Sequence, residues 1–152
     1  MRRLFLSLLV AIPAMSAAKA GDLPAGAVAL SSDEVTKIYS GKTAFWKSAT
    51  IYFASDGTIK GYYGAPPKGA LIGTWSVNGN EGCMKSHDVH DDVSKETTDC
   101  NKYWKSGKTV WQLWSVHFNN SPVDPHGYYD KSLSAFRPGD QIEKEYRKFG
   151  GS

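Results

Sequence analysis

The sequence predicts a mainly β domain, an antiparallel meander that closes into a small barrel or folds into a sandwich, with one short N-terminal helix. Short runs of aromatic and β-branched residues recur along the chain, and turn residues such as Ser55-Asp56-Gly57 separate them. One helix-type pattern precedes these runs. Short strands at regular spacing are typical of barrels and sandwiches, and a closed barrel has no exposed strand edges.

The helix is predicted in SSDEVTKIYSGK, residues 31–42. Ser31 and Glu34 are three residues apart, which is the spacing of a capping box, and Gly41 is a typical stop. The apolar residues that share one face of this helix are Val35, Ile38 and Tyr39. The preceding residues, 21–30, are predicted to form a linker.

Eight runs after Gly41 are predicted as strands. They cover residues 43–46, 49–54, 58–64, 71–77, 82–89, 100–105, 109–118 and 133–137. The run TVWQLWSVHF at 109–118 carries the strongest strand signal because it is rich in aromatic and branched residues. The tail EKEYRKFGGS at 143–152 is charged, and we expect it to fray.

The first 20 residues have the layout of a secretory signal peptide. Two arginines precede an apolar run at 4–12, and Ala18-Lys19-Ala20 supplies small residues for cleavage before Gly21. A membrane anchor is the alternative, but the apolar run is shorter than the roughly 20 residues that span a bilayer. RRLFL also resembles a twin-arginine signal, so the export route stays open. We therefore expect a periplasmic or secreted single domain over 31–152, with no transmembrane segment after signal removal.

The charge of the exported chain gives no support to one class of function. The full chain has 18 basic and 15 acidic residues, and the signal contains Arg2, Arg3, Lys19 and no acid. Its removal leaves 15 residues of each sign. A nucleic-acid-binding protein needs a basic face to neutralise phosphates. The composition therefore gives no reason to expect a nucleic-acid partner.

The order of the motifs resembles a bacterial family known as domain of unknown function 995. The matching elements are LSSDEVTKIYSGKT at 30–43, YFASDGTIKGYY at 52–63, GTWSVNGNEGC at 73–83, a second cysteine at 100 and FRPGD at 136–140. This resemblance implies a small exported protein without an established activity. GTW at 73–75 is also similar to the GxW motif of lipocalins, although in that family the motif lies on the first strand. A lipocalin-like barrel is one expected form.

Cys83 and Cys100 are the two cysteines of the chain, and they admit two readings. In an oxidising compartment paired cysteines normally form a disulfide, and these two lie on neighbouring predicted strands. A metal site is the alternative, with His87 and His90 as further ligands. Structural zinc sites usually contain C-x-x-C pairs, which are missing here, and histidines three apart point to opposite faces of a strand. We predict the disulfide, and we expect no metal and no cofactor.

No catalytic residue is assigned. The sequence contains no G-x-S-x-G elbow, H-E-x-x-H or P-loop. His117, near the end of the aromatic run, is a candidate general base, although a single histidine on a strand is more often structural. His126 lies in a predicted loop and has no obvious partner. A hydrolytic enzyme is therefore only the third function considered.

The run 109–118 is apolar on both faces. Trp111 and Leu113 face one way, whereas Val110, Trp114, Val116 and Phe118 are predicted to face the other. One face packs the core; the N-terminal helix covers the other, or that face binds a ligand or partner. We take Trp111 and Leu113 as the candidate binding surface and Trp114 as core. The leading function is a protein-binding or envelope-associated module, and the alternative is a small apolar or sugar ligand held inside the barrel.

Overall fold

The computed structural model of the 152-residue protein describes residues 21–120 and 127–150. The predicted signal peptide and His126 lie outside these residues. The described strands are β1 Val28–Ala29, β2 Lys42–Phe45, β3 Ala49–Phe53, β4 Thr58–Tyr63, β5 Gly69–Asn78, β6 Glu81–Asp88, β7 Thr97–Ser106, β8 Thr109–Val116 and β9 Phe136–Pro138. The described α-helices are α1 Ser32–Tyr39 and α2 Glu143–Lys148, and short 3-10 helices cover Val93–Lys95 and Ser132–Ala135.

The strands form one curled antiparallel sheet, which confirms the mainly β, barrel-like prediction. From β2 to β8 each strand pairs with the next along the chain. β9 returns to pair with β2, and β1 pairs with β7. The predicted linker, residues 21–30, ends in β1 and in Leu30, which is only 6% exposed and belongs to the core. The predicted strand at 133–137 is replaced at its start by the second 3-10 helix.

Helix α1 begins at a capping box formed by Ser31 and Glu34. The Ser31 hydroxyl accepts the Glu34 backbone N–H, and the Glu34 carboxylate accepts the Ser31 N–H at 2.8 Å. The Glu34 side chain also pairs with Lys105 of β7 at 2.6 Å. Hydrogen bonds from Lys105 and from the Ser31 backbone lower the pKa of Glu34 to about 2. The predicted apolar face is buried: Val35, Ile38 and Tyr39.

The interior of the curled sheet is filled by side chains centred on Tyr39. Its ring contacts four other aromatic rings at centroid distances of 4.8–6.0 Å, namely Phe53, Phe136, Trp75 and Tyr103. Its hydroxyl lies 2.5 Å from the hydroxyl of Tyr103, so the two buried polar groups satisfy each other. A side chain at Gly82 of β6 would meet the Tyr39 ring at 2.5 Å, so glycine is required there.

Burial makes the two central tyrosines sensitive to high pH. Desolvation raises the pKa of both hydroxyls well above the ordinary value of 10.0. Above about pH 10 the unfolded chain loses these protons while the folded chain keeps them, so the free energy of unfolding falls as the pH rises. Urea denaturation from about pH 8 to about pH 11 should show this fall. The double variant Tyr39→Phe/Tyr103→Phe should show a weaker dependence, and an equal dependence would contradict the assignment.

The prediction that the charged tail frays is wrong for residues 143–148, which form α2. Ile142 and Tyr146 are buried at 1% and 4% exposure against Ala70 of β5, and four partly buried residues pack on this cluster: Tyr52, Tyr62, Val89 and Phe149. Lys60 of β4 pairs with Asp140 at 2.8 Å and with Glu143 of α2. The prediction of a single helix is therefore corrected to two within the described residues. The sequence did contain the signal, since apolar residues recur at 142, 146 and 149 with helical spacing.

Candidate functional site

Two tryptophans, one on β7 and one on β8, are opposite each other on the outer face of the sheet. In the register of these strands Trp104 is opposite Trp111, and Lys102 is opposite Leu113. Tyr103, which lies between Lys102 and Trp104 on β7, is 1% exposed and points into the core. Because successive strand residues point to opposite faces, Trp104, Trp111 and Leu113 point outward. All three are half-buried. We call this surface the Trp104–Trp111 face.

Neither helix is placed to cover the Trp104–Trp111 face. α1 packs mainly against β2, β5 and β6 and contributes its apolar residues to the interior, and α2 packs against β4 on the outside. In the part of the chain that the structure describes, the ring that packs on this face is Tyr128, with its centroid 5.2 Å from that of Trp104. The structure therefore shows that α1, the N-terminal helix, does not cover Trp111 and Leu113.

The inner face of β8 is more polar than the sequence indicated. Gln112, between the two tryptophans, is 5% exposed and its amide donates to Asn101 at 2.6 Å and to the hydroxyl of Tyr129 at 2.9 Å. Trp114 lies opposite Asn101 of β7, and both side chains point into the same interior. Within the described residues the Gln112 Oε1 and the Trp114 Nε1 are buried without a hydrogen-bond partner.

A β-bulge breaks the predicted alternation of β8. Asn101 pairs with Trp114, whereas the preceding Cys100 pairs with Val116, so Ser115 is an extra residue on β8. Val116 therefore does not share the face of Trp114 as predicted. Ser115 instead donates a hydrogen bond to the Glu81 carboxylate on β6, the strand on the other side of β7.

The two cysteines are directly opposite each other on β6 and β7. Their sulfur atoms are 2.14 Å apart, so they form a disulfide. Glu81 is the third member of the single group of potential metal ligands found within residues 21–120 and 127–150. Bonded sulfurs are not the thiolates that bind metals, so this group is not a metal site.

The acidic loop after β6 uses its side chains to hold its own turns. Asp88 accepts the hydroxyl of Tyr63 at 2.6 Å and the backbone N–H of His90 at 2.8 Å, and these bonds lower its pKa. Asp91 pairs with Lys95 at 2.6 Å, and Asp92 accepts the backbone N–H of Ser94. Within residues 21–120 and 127–150, His87 and His90 do not belong to the group of potential metal ligands.

His117 lies beside a carboxylate that the sequence reasoning did not single out. Its Nδ1 is 2.8 Å from the Asp99 carboxylate, whose side chain is 6% exposed. The ring packs against Trp114 and Phe118, with centroids 4.1 and 4.3 Å away. Asp99 and His117 are 18 residues apart, so only the strand register, including the bulge, brings them together.

Comparison with known protein families identifies the family of this chain. A model of the family described as "Protein of unknown function (DUF995)" matches residues 6–127, which is most of the chain. The protein belongs to the DUF995 family. This confirms the resemblance inferred from the motifs. No curated protein and no solved structure matches this DUF995 chain. None of its described helices has the length and apolar character needed to cross a membrane.

The two tryptophans of β8 should contribute differently to the stability of this DUF995 protein. Trp114 points inward and its Nε1 is buried, so Trp114→Ala should lower the free energy of unfolding by about 2 kcal/mol, less than a fully buried tryptophan would. Trp111 points outward, and Trp111→Ala should cost less than about 1 kcal/mol, the range of a cross-strand pair. Urea denaturation of both variants measures this. Equal, large losses would mean that β8 is core on both faces.

Proposed function

We propose that the protein is an exported module that binds another protein through the Trp104–Trp111 face. The observation that carries this proposal is the pair of tryptophans on an outer sheet face away from both helices. Tryptophan and tyrosine supply most of the binding energy at many protein interfaces, because each removes a large apolar area from water. Trp111 and Leu113 lie at the centre of the proposed contact.

The surroundings of these residues support a protein partner over a small ligand. The face lies on the outer side of a curled sheet, whereas a small-molecule site is usually a concave pocket. Charged and polar groups border it, since Lys102 is opposite both Leu113 and Glu81, and Ser115 bonds Glu81. An apolar centre with a polar rim is the usual composition of a protein interface.

The proposed location outside the cytoplasm rests on two features of the chain. The first is the signal layout of residues 1–20. The second is the Cys83–Cys100 disulfide, because such bonds persist in oxidising compartments. We also propose that the curled meander is lipocalin-like in form, with α1 placed against its interior.

The packing favours the outer face over a ligand inside the barrel. The interior contains the mutually packed rings around Tyr39. Two depressions of the described surface are open to solvent. One, of about 140 Å³, lies between α1 and Phe136, and the other, of about 370 Å³, lies beside Phe45 and Arg137. A carrier function would need the aromatic interior to rearrange.

Affinity capture from the extracytoplasmic fraction of the native organism tests the proposed function. The tagged wild-type protein is compared with Trp111→Ala, and Val93→Ala is the matched control because Val93 is an apolar side chain, 63% exposed, outside the proposed face. We expect one or more proteins captured by the wild type and by Val93→Ala, and lost from Trp111→Ala. Equal capture by all three would count against the face, provided that all three fold.

A further inference from the structure

The turn after β8 has a backbone conformation that its residues rarely adopt. The backbones of His117 and Asn120 bond each other at 3.0 and 2.9 Å, and the two residues between them have positive φ, 46° for Phe118 and 64° for Asn119. Such two-residue turns favour glycine and asparagine, and a bulky aromatic residue in this region is an outlier. Backbone strain of this kind is concentrated at functional sites, where surrounding contacts maintain it.

The contacts that maintain the turn come from β7. Asn119 donates its backbone N–H to the Thr98 carbonyl at 3.0 Å and accepts the Thr98 N–H on its side chain at 2.7 Å. The buried Asp99 carboxylate accepts the Phe118 N–H at 3.2 Å. The result is a fixed turn that holds the Phe118 side chain in solvent, 58% exposed.

The same carboxylate selects the tautomer of the neutral histidine beside it. The Asp99 carboxylate accepts a hydrogen bond from Nδ1–H of His117 at 2.8 Å, so the lone pair of the neutral imidazole is on Nε2. Trp114 and Phe118 pack on the ring, and 36% of the His117 side chain is exposed. Because Nδ1 bonds Asp99, we infer that Nε2 is the ring atom that accepts a hydrogen bond from a ligand.

We propose that Phe118 and His117 form a binding site for a neutral sugar, with Trp114 supporting the His117 ring from the interior side. The C–H face of a sugar ring packs on an exposed aromatic ring, and a sugar hydroxyl donates to an imidazole nitrogen. The Asp99 carboxylate disfavours an anionic ligand at this place. A metal ion would need more ligands than His117 supplies. The site lies beyond the end of β8, at residues that do not belong to the Trp104–Trp111 face, so it does not depend on the proposed protein partner.

Nuclear magnetic resonance titration tests the site with three neutral probes: maltohexaose, cellohexaose and hexa-N-acetylchitohexaose. We expect at least one probe to shift the imidazole signals of His117 and the indole N–H signal of Trp114 in a saturable way. Phe118→Ala should raise the dissociation constant of that probe about tenfold, the effect of losing one aromatic contact. Val28→Ala should leave it unchanged, since Val28 is also 58% exposed but lies on β1.

A second variant separates binding from stability. Phe118→Gly suits the positive φ, so it should melt at a temperature equal to or higher than the wild type while losing affinity for the sugar. A purely structural role of Phe118 would not produce this combination. The proposal is overturned if none of the probes shifts the His117 signals at millimolar concentration. It is equally overturned if Phe118→Ala and Phe118→Gly bind as tightly as Val28→Ala.

Discussion

Replacement of Tyr39 by alanine should lower the free energy of unfolding by about 4 kcal/mol, the range for a large buried aromatic residue. Tyr39 is 5% exposed, contacts the rings of Phe53, Phe136, Trp75 and Tyr103, and fits against Gly82. Truncation leaves a cavity in the middle of the interior, and it removes the partner of the buried Tyr103 hydroxyl. Because small domains are stable by only about 5–15 kcal/mol, urea denaturation should detect this loss readily.

The matched control is Tyr39→Phe, which keeps the ring and removes only the hydroxyl. Its expected cost is about 1–2 kcal/mol, because the Tyr103 hydroxyl then lacks its bonded neighbour. The difference between the two variants measures the contribution of the ring. If Tyr39→Ala were as stable as Tyr39→Phe, the ring would not be the centre of the packed interior, and a ligand-holding barrel would regain support.

Loss of the disulfide should lower the free energy of unfolding by about 3 kcal/mol, the value expected for a closed loop of this size. The bond joins Cys83 and Cys100, which are 17 residues apart on paired strands. It restricts the unfolded chain over the acidic loop, whose described contacts are mainly short-range hydrogen bonds. The double variant Cys83→Ala/Cys100→Ala should unfold at correspondingly lower urea concentration than the oxidised wild type.

Thiol labelling provides the control for this experiment. The denatured, non-reduced wild type should contain no reactive thiol, and the reduced wild type should match the double variant in stability. Two free thiols in protein recovered from the extracytoplasmic fraction would contradict the bond. A loss below about 1 kcal/mol would show that the acidic loop is ordered without it.

Local sequence patterns predicted the elements whose formation depends on near neighbours. The capping box of Ser31 and Glu34 located α1, and the branched and aromatic runs located most strands. α2 was missed because its charge was given more weight than the spacing of Ile142 and Tyr146. Its stability comes from a cluster with Ala70, a contact between distant parts of the chain.

The arrangement of the candidate sites depends on strand register, which the sequence does not reveal directly. Alternation along β8 correctly separated Trp111 from Trp114, but the bulge at Ser115 moved Val116 out of the predicted face. The contact of His117 with Asp99 follows from the same register. Neither residue belongs to a local motif, so the pair could not be recognised before the strands were aligned.

Site-specific photocrosslinking in cells of the native organism tests the proposed interface most directly. A photoreactive amino acid replaces Lys102 of β7, which lies opposite Leu113 at the border of the face, and a control carries it at Val93, which is 63% exposed. If the Trp104–Trp111 face binds a protein, irradiation should give a discrete higher-mass adduct at position 102 and none at position 93. An exported, folded protein that gives no adduct at position 102, or the same adducts at both positions, would contradict the proposed function.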